Sequence, residues 1–144
     1  MGILTNIVAG EEGEAEAIGE SLHPLNEWSG IERRGIDIAK VAVLHSLLTG
    51  DEYEQALFQS EPVYISGEGV LVLRMADEVM EKLAAMDEEG LEQVAQELSA
   101  TEAFELEDWD PAEVEDMILS LAELAQIAES QGQTLFVWMH PLST

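Results

Sequence analysis

Near its C-terminal end the chain reads Thr134-Leu135-Phe136-Val137-Trp138-Met139, a run without charge and almost wholly apolar. Side chains alternate across a strand, so Leu135, Val137 and Met139 point to one face and Phe136 and Trp138 to the other. A strand apolar on both faces has to lie inside a sheet that is covered on both sides. The rest of the chain therefore has to supply flanking strands and two covering layers.

Three further segments read as strands. Ile3 to Val8 is one, and Pro62 to Ser66 and Val70 to Arg74 are two more, joined through Gly67-Glu68-Gly69, whose glycines suit a hairpin turn. Helical spacing is clearest over 36–49, where Ile38, Val41, His45 and Leu48 form a stripe that Leu44 and Leu47 widen, and Gly50 stops the helix. A short helix around 52–58 follows. Val79, Met80, Leu83 and Met86 mark a helix over 77–86. Asp87 caps another, with Leu91, Val94, Ala95 and Leu98 inward. Asp110-Pro111-Ala112-Glu113 reads as N-cap, N1 proline and N3 acid of a long helix that ends before Gly132. Residues 11–20 read as a solvated acidic helix or loop, 21–35 as an irregular connection and 102–110 as an acidic loop. The expectation is one α+β domain spanning 1–144, a small sheet of about four strands packed with about five helices.

The charge balance narrows the partners. Against 31 acids the chain carries only Arg33, Arg34, Lys40, Arg74 and Lys82, a net charge of -26. Such a surface repels phosphate backbones and anionic lipid, so neither nucleic acid nor membrane is expected as a partner. There is no cysteine, hence no disulfide, thiolate metal site or cysteine nucleophile. The residues Met1 to Asn6 lack the basic start of a secretory signal, and no apolar run approaches the ~20 residues needed to cross a bilayer. A cytoplasmic protein is expected.

Three segments in this order resemble one family. Ile36-Asp37-Ile38-Ala39-Lys40 leads through His45 to Leu47-Leu48-Thr49-Gly50. The strand at 70–73 runs into Asp77-Glu78-Val79. Trp109, the long helix, Gln131-Gly132-Gln133 and the apolar strand close the series. Their order and spacing over about 36–139 are similar to the YfbM-like family, small bacterial proteins of uncharacterised function. The resemblance implies a compact α+β domain and carries no activity with it.

Few residues are candidates for chemistry. His45 lies on an apolar stripe and is either a hydrogen-bonded core histidine or a proton carrier in a cleft, assisted by Asp37 two turns earlier. His23 and His140 each precede a proline. No metal is expected, because no H-E-x-x-H or comparable ligand spacing occurs. The alternating carboxylates of Glu105-Leu106-Glu107-Asp108-Trp109-Asp110 lack the glycine and final glutamate of a calcium loop. No phosphate-binding loop, dinucleotide fingerprint or G-x-S-x-G is present, so no cofactor is expected. Two functions remain open: an acidic interaction protein that meets a basic protein partner, as immunity proteins and nucleic-acid mimics do, and a small enzyme with a cleft near His45.

Folding brings these acids into a small volume with few cations, so screening should favour the folded state. Raising salt from a few millimolar to ~0.1 M should raise the melting temperature, since charges beyond about 10 Å are then screened. A melting temperature indifferent to salt would show that the acids are too dispersed to repel one another.

Overall fold

The computed structural model describes residues 2–21, 23–59, 62–67, 69–107 and 109–142. In chain order the elements are β1 (Gly2–Gly10), α1 (Ala15–Glu20), a 3-10 turn (Pro24–Asn26), β2 (Gly30–Arg34), α2 (Ile38–Thr49) and α3 (Tyr53–Gln59). They continue with β3 (Pro62–Ile65), β4 (Leu71–Arg74), α4 (Asp77–Ala85), α5 (Glu88–Ser99), α6 (Glu102–Glu105), α7 (Pro111–Ser130) and β5 (Thr134–Leu142).

The strands form a single antiparallel sheet in the order β2-β1-β5-β4-β3, with the apolar run at its centre. Leu135, Val137 and Met139 pack with Ile7, Ala9 and Leu73 beneath α2, α4, α5 and α7. Phe136 and Trp138 pack on the other face with Val8, Val70, Val72 and Ile18 of α1. The Trp138 indole N–H donates to the Ser21 carbonyl at 3.1 Å, which satisfies the one polar atom that this ring buries.

The helix ends follow the expected local chemistry. Asp37, Asp87 and Asp110 each accept a backbone N–H in the first turn of their helix, at 3.0, 2.8 and 2.9 Å. At Asp110 the side chain takes the Ala112 N–H at N2 and no return bond from the Glu113 carboxylate is made, so the cap forms without the expected capping box. Gly50, at φ 82°, turns the chain out of α2. The β3–β4 hairpin forms as expected, although Glu68 of its turn lies outside the described residues.

Three readings of the sequence change. Residues 30–34, expected in an irregular connection, form the edge strand β2, paired with β1 from Val8↔Gly30 to Leu4↔Arg34. An edge strand needs little apolar content, which is why Gly-Ile-Glu-Arg-Arg escaped notice. The acidic 11–20 segment is not merely solvated: α1 buries Ile18 against the sheet. It sits so close that a Cβ on Gly19 would come 2.2 Å from the Tyr64 ring. Within the expected loop at 102–110, one helical turn, α6, forms because Phe104 is drawn fully into the core.

Because β5 bonds to a neighbour along each edge and buries both faces, truncation after Gly132 should abolish cooperative unfolding. A soluble, sharply melting truncated chain would refute this.

Candidate functional site

The most concentrated polar chemistry lies around α2. This helix is apolar nearly all round, and such a helix needs cover on more than one side. The core takes Ala42, Leu44, His45 and Leu48. It also takes Lys40, 2% exposed and missed by an apolar-stripe reading because a lysine breaks the pattern.

Lys40 is held by charge at its tip and by apolar contacts along its stem. Its Nζ lies 2.5 Å from Glu107 Oε2, 3.6 Å from Asp37 Oδ2 and 5.8 Å from the centre of the Phe104 ring. Buried charges persist only when paired, and a cation over a ring face gains further attraction. Trp109 meets Phe104 edge to face, with ring centres 5.3 Å apart. Lys40 thus ties α2 to α6 and to the segment before α7. Glu107, one of the acids weighed as a calcium ligand, is a lysine partner instead. Asp110 is a helix cap, and Asp108 lies outside the described residues.

His45 is 6% exposed, and its Nε2 lies 2.9 Å from Asp51 Oδ2. A carboxylate only accepts, so Nε2 carries the proton. The left-handed Gly50 reverses the chain and returns Asp51 to the last turn of α2. There Ser46 Oγ donates to the Asp51 carbonyl at 2.7 Å, and Asp51 N–H donates to Thr49 Oγ1 at 3.2 Å. The bond from His45 holds the Asp51 carboxyl below its usual range, against a smaller opposing effect of burial. This bond stabilises the fold above the ordinary carboxylate pKa, and its contribution fades as pH falls through the lowered one.

Asp37, the acid expected beside His45, does not reach it. The two are about 12 Å apart along the helix axis, and Asp37 caps α2 and faces Lys40. The void that His45 lines with Val41, Leu44, Leu73, Arg74, Met75, Ala76 and Val79 is about 10 Å³, room for no more than a water. His140 stacks on Trp138 at 5.8 Å, and His23 is exposed. Among the described residues no three His, Asp or Glu side chains gather as a metal site, and no helix is long and apolar enough to cross a membrane.

The outer side of α2 is different. Ala39, Val43 and Leu47, at i, i+4 and i+8, floor a groove of about 480 Å³ whose walls are Tyr53 of α3 and Thr101, Glu102, Ala103 and Leu106 around α6. Leu106 is 75% exposed and Tyr53 42%. Glu102 is the carboxylate of the groove lining, and the segments that supply the walls carry Asp51, Glu52 and Glu54 in 51–59 and Glu102, Glu105 and Glu107 in 101–107, with no cation in either; Asp51 and Glu107 are engaged by His45 and Lys40. Of the other cations, Arg33 pairs with Asp116, Arg74 with Glu12 and Asp77, and Lys82 with Glu78. A second open depression, of about 440 Å³, lies between Arg33, Arg34 and Trp109 and the first turns of α7.

No family model and no curated protein matches the chain. Among solved structures, a protein of unknown function, YfbM from Escherichia coli, aligns over 95% of this chain and 99% of its own, with a TM-score of 0.48 and 14% identity.

Replacing Glu107 with Gln would leave the Lys40 charge buried with weakened pairing and should destabilise by about 1–3 kcal/mol. Lys40→Met, which removes the charge and keeps the stem, should cost less, within about 1 kcal/mol of the parent. Denaturation midpoints that rank the two variants the other way round would show that the buried Lys40 charge stabilises by more than its burial costs, even without Glu107.

Proposed function

We propose that this chain is an acidic interaction protein of the cytoplasm whose groove between α2, α3 and α6 receives a basic protein partner. The observation that supports the reading is an apolar groove whose wall segments, 51–59 and 101–107, carry carboxylates and no cation. Apolar burial supplies affinity, while charges of one sign steer an oppositely charged partner and exclude anionic ones. Immunity-like neutralisation of a basic protein, or mimicry of nucleic acid toward one, are the roles that this chemistry suits. On the motifs over about 36–139 we read the chain as a distant member of the YfbM-like family.

The alternative, an enzyme with a cleft near His45, has less in its favour. Its supporting observation is the His45–Asp51 bond, but the adjoining void has no room for a substrate, and the Nε2 proton is already engaged.

Immobilised protein should retain from cell extract a partner with pI above about 9, with retention weakening as salt rises. Tyr53→Ser combined with Leu106→Ser should lose that partner, whereas His45→Gln should keep it and lose only stability. Undiminished retention by the double variant, or an acidic partner, would overturn the proposal.

A further inference from the structure

The groove also constrains the shape of what fills it, an argument that rests on the basic-partner reading above. We infer that its occupant is a short cationic amphipathic helix, laid along α2 with its apolar stripe on Ala39, Val43 and Leu47 and its basic flanks toward the acidic wall segments 51–59 and 101–107.

The first reason is hydrogen bonding. The floor and much of the walls are helical, and the backbone groups of helix interiors are already bonded to one another. None of the sheet edges lines the groove. An extended peptide seated there would lose water from its N–H and C=O groups and gain no ladder in return, whereas a helix satisfies its own.

The second reason is spacing. Ala39, Val43 and Leu47 lie one above another along about 12 Å of α2, a little over two turns. A partner helix packing at 8–10 Å would set apolar side chains at i, i+3 or i+4, and i+7 against that row. Tyr53 and Leu106, the two exposed large side chains of the walls, would close over its sides.

The third reason is charge. Glu102 lines the groove, and the wall segments 51–59 and 101–107 add Glu52, Glu54 and Glu105 and no cation, while Asp51 and Glu107 are engaged by His45 and Lys40. A helix with one apolar stripe flanked by Lys or Arg meets acid on both sides at once, and an acidic or neutral helix does not. The Lys40–Glu107 pair, gripping Phe104 from below, fixes the α6 wall at its distance from α2 before any ligand arrives.

The test uses two 16-residue peptides of the same Leu and Lys composition. One places Leu at helical three-to-four spacing and the other places Leu at every second position. Titration calorimetry gives affinity at 150 mM salt, and circular dichroism follows peptide helicity. The helical-spaced peptide should bind about tenfold or more tightly than its twin and gain helicity on binding. Tyr53→Ser with Leu106→Ser, both at exposed positions that should leave the fold intact, should weaken it by a similar factor. Glu123→Lys with Glu129→Lys, on α7 outside the groove, should change it less than about twofold.

Equal affinity for the two peptides, lost in the groove variant, would overturn the helix while leaving the basic partner standing. Affinity unchanged in the groove variant would overturn both, because binding would then be diffuse attraction to the acidic surface. No binding of the helical-spaced peptide up to about 1 mM would overturn the helix inference.

Discussion

The burial of β5 on both faces organises everything else in this fold. Leu135, Phe136, Val137, Trp138 and Met139 are each no more than 2% exposed, and that is achieved only with a strand along each edge and a layer over each face. β1 runs beside the whole of β5, and β4 takes the other edge. The helical layer of α2, α4, α5 and α7 covers the odd-numbered side chains. The even-numbered ones are covered by the thinner α1 and the turn that follows it. Where that thin layer meets the sheet, tolerances are small: Gly19 stands where even one carbon would strike Tyr64, and Trp138 ties the cover to the sheet through the Ser21 carbonyl.

The same demand for cover sets up the groove. A helix as apolar as α2 would be expected to vanish into the core, yet only one side of it does. Its other side is left between α3 and α6, both of them short and acidic. Lys40 crosses this arrangement from the core side, and its pairing with Glu107 holds α6 in place. The charge of this protein is therefore not spread evenly in its effect. Among the described residues, Lys40, Arg33, Arg74 and Lys82 are each paired with acids, Lys40 with Glu107 beside the groove, and the segments 51–59 and 101–107 carry no cation of their own.

Much of the architecture was legible because it rests on local rules. Asp37, Asp87 and Asp110 cap helices since a short acceptor side chain can reach the N–H groups of the first turn. Gly50 and Gly132 stop helices since they take a positive φ that other residues resist. The alternation of 134–139 fixed which side chains share a face. What escaped were elements whose stability comes from elsewhere in the chain. β2 exists because β1 offers it an edge, and α6 forms around Phe104 as that ring is buried.

The candidate site divides along the same line. Sequence by itself determined that His45 lies on an apolar stripe, that acids outnumber cations 31 to 5, and that the apolar arc of α2 is wide. Only the tertiary structure decided that His45 meets Asp51 rather than Asp37, that Lys40 is buried against Glu107, and that the outer stripe of α2 floors an open groove. The physical reason is distance along the chain. Caps, stops and periodicity act within a few residues, whereas Lys40 and Glu107 are 67 apart, and nothing local at either position says that a buried cation will find its carboxylate there.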